Sequence, residues 1–158
     1  ALPLIRSQLG QVMLLIAGEF WDDKQPYLAM IDSLGITESV LIEDRYIPNE
    51  QVSLYLSAAD VLVAPYRRVT GSAVVQVARG SGCPVITTSL AGLTEAMECT
   101  NDPSALAQPG DSQSLAETIC RYLRDHPREE RVGSPLDNRT KGWKQLVEAI
   151  RDASLECE

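Results

Sequence analysis

An α/β fold with a parallel sheet flanked by helices is predicted by three features of this sequence. Short apolar runs alternate with helix-spaced apolar stripes at intervals of roughly 20 residues, the rhythm of successive β-α units. The strand-like runs are continuous rather than alternating, as expected of strands covered on both faces. Gly18, Gly35, Pro48 and the Gly80-Ser81-Gly82 triplet punctuate these segments where helices and strands must stop.

Ala1 to Leu9 reads as the back half of a helix. Sheets of this kind ordinarily begin with a strand, so the sequence is expected to be part of a longer protein. VMLLIA, Val12 to Ala17, forms the first strand and stops at Gly18. Tyr27, Met30, Ile31 and Leu34 share one helical face, and Gly35 closes that helix as its C-cap. Val40 to Glu43 make the second strand, which leads to a turn around Pro48. Asn49 is expected to cap a helix whose apolar stripe is Val52, Tyr55, Leu56 and Ala59.

A third strand covers Val61 to Ala64, a helix follows from Ser72 to Gly80, and a fourth strand runs from Val85 to Thr88. The glycine-rich Arg79 to Gly82 stands at the end of that helix, before Pro84, and reads as a helix stop. Beyond Ala91 the pattern weakens, with one short strand expected at Ala105 to Ala107. Asp111 caps a helix with the stripe Leu115, Ile119, Tyr122 and Leu123. Residues 126–138 form a polar connection, and 139–154 a last amphipathic helix carrying Trp143, Leu146, Val147 and Ile150. Trp143 serves either core packing or contact with a partner.

With 158 residues the chain has the size of one domain, and a domain of that length buries about 70% of its unfolded surface. Hydrophobic residues at 44% and charged residues at 23% exclude a disordered or fibrous chain. A formal charge of −8, from 14 basic and 22 acidic residues, argues against nucleic acid and anionic membranes as partners. No apolar run approaches the ~20 residues of a membrane span, and no leader is recognisable, so a cytoplasmic protein is expected. Cys83, Cys99, Cys120 and Cys157 lack metal-ligand spacing and read as small buried hydrophobes in a reducing compartment. No metal site is expected. The single histidine, His126, reads as a solvated residue of the polar connection.

Ligands of open α/β sheets sit beyond the carboxyl ends of the strands, which directs attention to the residues just after each strand. The richest segment is Pro65 to Ala78, PYRRVTGSAVVQVA. Thr70, Gly71 and Ser72 stand at the mouth of a helix, where free N–H groups and the helix dipole attract an anion. Ser72 suits either a phosphate oxygen or a plain N-cap. Glu95 suits either a helix cap or a cleft wall. A G-x-x-x-x-G-K-[ST] loop and a G-x-G-x-x-G after a strand are both absent.

AADVLVAPYRRVTGSAVVQVARGSGCPVITTSLAGLTE resembles the C-terminal half of the group-1, family 4 retaining glycosyltransferases of the GT-B fold. LLIAGE, DRYIP at Asp44 to Pro48, and Gln108-Pro109-Gly110-Asp111 followed by Leu115-Ala116 match that half in the same order. The resemblance covers about Leu2 to Asp125 and implies a Rossmann-like donor-binding domain. By its positions, Gly18 at the end of the first strand belongs to the nucleotide-sugar site, and the nucleotide base lies against backbone near Tyr46, Ile47 and Pro48. Diphosphate meets Gly71, Ser72 and Ala73, the ribose meets Gln76, and Arg68 and Thr70 face the donor sugar. Two departures stand out. Arg68 and Gln76 occupy the places of the family's paired glutamates, and Gly71-Ser72-Ala73 keeps only the first glycine of its glycine-aromatic-glycine loop. Gln76 can still bond ribose hydroxyls, while Arg68 either faces the diphosphate or points to solvent.

The resemblance further implies a nucleoside diphosphate sugar as substrate and no bound cofactor. It also implies that the family's phosphate-binding Arg and Lys, on the first strand and loop of this half, lie upstream of Ala1, as does a separate N-terminal acceptor-binding domain. The full enzyme would transfer a sugar to a hydroxyl acceptor with retention, this chain alone being inactive. Two other readings fit the same rhythm: a non-catalytic interaction domain of the same fold, and a flavodoxin-like phosphoacceptor domain. The latter wants an acidic cluster directly after the first strand, whereas Asp22 and Asp23 come several residues later.

Overall fold

The computed structural model describes residues 1–91, 105–127 and 146. The expected connection beyond residue 127, Trp143, the last helix apart from Leu146, Glu95, Cys99 and Cys157 lie outside them. In chain order the elements are α1 (Leu2–Leu9), β1 (Leu14–Ala17), α2 (Gln25–Ser33), a 3-10 turn (Thr37–Ser39) and β2 (Val40–Glu43). There follow α3 (Asn49–Ala58), β3 (Leu62–Ala64), α4 (Ala73–Gly80), β4 (Val85–Thr88), β5 (Leu106–Ala107) and α5 (Ser112–Asp125).

All strand pairs are parallel, as the β-α rhythm requires, but the described strands form two ladders rather than one sheet. β1 pairs with β2 in the register Leu14↔Val40 to Ala17↔Glu43. β4 lies between β3 and β5, with Leu62↔Val85 on one side and Thr87↔Leu106 on the other. The first strand begins at Leu14 rather than Val12 because its partner β2 supplies ladder positions only from Val40 onward. Val12 instead packs its side chain into the cluster of Ile5, Ile86, Ala116, Ile119 and Cys120. That cluster seats α1 and α5 on one face of β4. A second cluster, Leu56, Ala64, Val75, Ala78, Cys83 and Val85, joins α3 and α4 to β3 and β4.

Helix ends follow local chemistry. Gly35 takes φ +62 just after the C-cap Leu34, and its N–H donates to the Asp32 carbonyl at 2.9 Å. Ile36 N–H reaches the Ile31 carbonyl at 3.2 Å, completing the paired bonds of a Schellman motif. Gly82, φ +73, repeats the device after α4, with Gly82 N–H on Arg79 O at 3.0 Å and Cys83 N–H on Ala78 O at 2.9 Å. The expected helix stop is therefore observed. Asp111 caps α5 by accepting from the N–H groups of Gln113 and Ser114 at 2.9 and 3.0 Å.

Three expectations are corrected. Asn49 is the first residue of α3, and Pro48 is the N-cap, its carbonyl accepting from Gln51 at 2.8 Å and Val52 at 3.3 Å. The α2 stripe is not a core stripe: Tyr27, Met30 and Leu34 are about half exposed, and the helix buries no residue. His126 is half-buried at the end of α5, its ring stacked on Tyr122 at 4.4 Å and its Nδ1 3.0 Å from the Tyr122 carbonyl. Cys83 and Cys120 are buried and outside any disulfide, as expected.

Candidate functional site

The segment after β3 owes its shape to threonines on β4. Buried Thr87 donates its hydroxyl to the Ala64 carbonyl at 2.8 Å, and Thr88 donates to the Tyr66 carbonyl at 2.6 Å. Tyr66 then brings its phenol to 2.9 Å from the Ser72 hydroxyl. Ser72, extended at φ −141, caps α4 by accepting the Val75 N–H at 3.4 Å. A serine oxygen has two acceptor sites and one proton. Either hydroxyl can donate in the Tyr66–Ser72 bond; when Tyr66 donates, the Ser72 proton is left for an outside oxygen.

The N–H groups of Ala73 and Val74, in the first turn of α4, have no acceptor within the helix. Gly71 and Ala73 are exposed, so these dipoles meet solvent at the carboxyl end of β3. The arrangement can hold an anion through N–H donors and one hydroxyl.

The turn after β2 is shaped by Arg45, which lies within DRYIP but has no role assigned to it from the sequence. Its Nε donates to Glu43 Oε1 at 2.5 Å, and Nη2 donates to Gln51 Oε1 at 2.9 Å and Tyr55 Oη at 3.1 Å. Nη1 reaches the Tyr46 carbonyl at 3.3 Å. One guanidinium thus ties the end of β2 and the first turns of α3 around the turn Tyr46-Ile47-Pro48. The bond to buried Glu43 raises the Arg45 pKa further above its ordinary value. Burial raises that of Tyr55, with the Glu43 charge adding to it. Asp44, on the outer side of the same turn, is held below the usual carboxylate range by its bond to Lys24 at 2.6 Å and by the Phe20 N–H.

The helices that follow these two segments share one core, with Val52 and Leu56 of α3 in the same cluster as Val75 and Ala78 of α4. Ile47 turns its side chain inward, against Tyr55, Ala58 and Leu146, leaving its backbone for any outside partner. Tyr46 is 63% exposed. Gly18 sits at the end of β1 with φ +138 and donates to the Glu43 carbonyl at 3.0 Å, next to the Arg45 clamp. Thr70 and Gln76 are exposed beside the α4 start. Arg68 is also exposed, which agrees with its solvent-facing option, whereas its neighbour Arg67 lines a recess of about 180 Å³. That recess lies between Pro65, Thr88 and the Gly110-Asp111 start of α5, with Arg67 Nε 3.9 Å from the place of a Gly110 Cβ.

Tyr66, Arg45 and Arg67 were thus missed in the sequence. Tyr66 and Arg45 hold their neighbours in place through side-chain hydrogen bonds, which only the folded structure reveals. Among the described residues, no three His, Cys, Asp or Glu side chains gather as metal ligands would, and no helix is long and apolar enough to cross a membrane.

Comparison with known proteins gives a consistent picture. The family model described as "Glycosyl transferases group 1" matches residues 1–125. The D-inositol 3-phosphate glycosyltransferase of Corynebacterium diphtheriae is 31% identical over 107 residues, covering 68% of this chain and 25% of that protein. The lipopolysaccharide glucosyltransferase WaaG of Escherichia coli is 25% identical over 124 residues, covering 78% of this chain and 32% of that protein. The chain therefore spans about a quarter to a third of these relatives' length. In fold it is similar to Anabaena HepE, solved in complex with UDP, with a TM-score of 0.64 and 19% identity over 98% of this chain and 43% of that one. Sucrose-phosphate synthase from Thermosynechococcus elongatus gives a TM-score of 0.64 and 21% identity over 99% of this chain and 41% of that one.

Proposed function

The chain belongs to the group 1 glycosyl transferases, and from that membership we propose that it is the nucleotide-sugar-binding part of a cytoplasmic hexosyltransferase of the GT-B type. The observation that carries the proposal is the Ser72-capped start of α4, braced by Tyr66 and opening at the carboxyl end of β3. Family membership supports the reading, as does the bound UDP named for the HepE structure.

In this reading the diphosphate rests on the N–H groups of Ala73 and Val74, with Gly71 permitting close approach and Ser72 donating its proton. The base lies along the backbone of Tyr46, Ile47 and Pro48, whose shape Arg45 fixes. Gln76, exposed three residues into α4, bonds the ribose hydroxyls through its amide. Thr70 faces the donor sugar. As the glycosidic bond to the donor phosphate breaks, negative charge builds on the leaving diphosphate. The oriented N–H groups stabilise that charge without having to reorganise. The sugar passes to a hydroxyl of an acceptor held by a second domain, with retention of configuration, and no bound cofactor takes part. Catalysis needs that second domain, so this chain alone binds without turning over.

An amide NMR titration of this chain with UDP, GDP and ADP tests the reading. Shifts concentrated at Ile47, Gly71, Ser72 and Gln76 for one nucleotide are expected and would identify its base. A folded chain silent at all four positions, with millimolar nucleotide, overturns independent donor binding. A second reading, a non-catalytic subunit of the same fold, draws on Val74 and Val77, which are 41% and 49% exposed beside Gln76. It predicts tight association with another polypeptide and no nucleotide affinity.

A further inference from the structure

We propose that the cleft between α2 and the loop joining it to β1 binds a sugar ring that carries no anionic group. The cleft, of about 400 Å³, is lined by Ile16, Glu19, Phe20, Trp21, Asp22 and Tyr27. Its size lies within the range of small-molecule sites, and its wall has their composition, mainly apolar and aromatic with a few polar groups. None of its lining residues belongs to the α4 site.

Three aromatic side chains line it. Phe20 and Tyr27 form a tilted pair with centroids 5.6 Å apart, and Trp21 is 96% exposed. An indole left bare beside two further rings is an unpartnered apolar surface, of the kind that marks interaction sites. A pyranose has the complementary shape. One of its faces is a patch of C–H bonds that packs on the negative face of an aromatic ring, and its edge carries hydroxyls that need acceptors.

Glu19 and Asp22 supply the acceptors. Both are exposed, and no hydrogen bond or ion pair engages either side chain among the described residues. An ionised carboxylate accepts only, which matches a hydroxyl donor. The same charges select against phosphate and carboxylate ligands. The nearby cation does not offset them, because Lys24 is bound to Asp44 at 2.6 Å and lies outside the lining. Asp44 also accepts the Phe20 N–H at 3.2 Å, so the loop that presents the rings is fastened to the end of β2. The cleft thus has a held wall, an apolar floor and free acceptors at its rim.

The test follows the indole N–H signals of the unmodified chain by NMR, with methyl α-D-glucopyranoside as the probe. The chain has two tryptophans, and the Trp21→Phe chain identifies which signal is Trp21. The expected result is a saturable shift of the Trp21 signal at millimolar glucoside, with glucose 6-phosphate binding about tenfold more weakly because of the two carboxylates. Tyr27→Ala, on a helix that buries no residue, should leave the fold intact and weaken glucoside binding about tenfold by removing one ring. A linear, unsaturable response overturns the proposal, as does equal binding of glucose 6-phosphate or an unchanged affinity in the Tyr27→Ala chain. Saturation of Trp21 by uridine in place of the glucoside also overturns it, because the cleft would then be a nucleobase site.

Discussion

The β1–β2 ladder and the β3–β4–β5 ladder invert what hydrophobicity alone would suggest. β1, with the sequence LLIA, is the more apolar strand, yet its residues are only partly buried and Ala17 is exposed. β4, with the sequence VITT, has every residue at 5% exposure or less. The reason is position. β4 has a ladder partner on each side, with one core cluster holding Val85 and the other holding Ile86, while β1 has β2 alone among the described strands. A strand's burial is set by what packs on it. The consequence runs on to the loops: the segment after β3 is held by hydroxyls from β4, and the segment after β1 leaves three aromatic rings at the surface.

The largest test of this contrast compares Ile86→Ala with Ile16→Ala in urea unfolding. Ile86 is wholly buried, so its loss should cost about 3–4 kcal/mol, against roughly 1 kcal/mol for the part-buried Ile16. Equal costs would show that the two ladders share one core after all. Arg45→Ala comes next. It strips Glu43, whose side chain is only 10% exposed, of its cation and should cost about 2 kcal/mol. The amides of Tyr46 and Ile47 should then exchange faster than in the unmodified chain, while those of Gly71 to Ala73, which Arg45 does not touch, stay unchanged.

Ser72→Ala removes the α4 cap and should cost about 1 kcal/mol. It should also weaken nucleotide binding, and the Tyr66→Phe chain should weaken it less, since the Ser72 hydroxyl survives. The smallest effect concerns Asp44. A carboxylate with a lowered folded pKa contributes stability above its unfolded value and loses it as pH falls through the folded one. The Lys24 and Phe20 bonds lower Asp44 from its ordinary 3.8, so the β1–α2 loop should loosen as the pH drops below about 4. Faster Phe20 amide exchange at acid pH, absent from the Lys24→Met chain, is the expected sign.

Much of this was legible in the residues themselves. The apolar runs located each described strand to within two residues, because short runs of branched apolar residues favour extended backbone. Ser72, Asp111, Gly35 and Gly82 announced helix ends, since their cap chemistry is local. Asn49 misled for an instructive reason: Pro48, extended at ψ 147, already turns its carbonyl into the first helical bonds. The α2 stripe misled because spacing reports which residues share a face, not whether anything covers it. At the site, Ser72 and Gly71 were visible in sequence, whereas the braces Tyr66 and Arg45 act across contacts that no local pattern encodes.

The sequence by itself determined the β-α alternation, the parallel pairing that follows from it, the helix caps and the family. Each of these depends on spacing or on neighbours within a few residues. Only the tertiary structure decided that the ladder splits between β1–β2 and β3–β4–β5, and that the threonines of β4 hold the loop leading to Ser72. It alone placed Arg45 at the centre of the turn and left Trp21 bare. Those outcomes depend on which distant segments meet, and that is fixed by packing rather than by the character of any one segment.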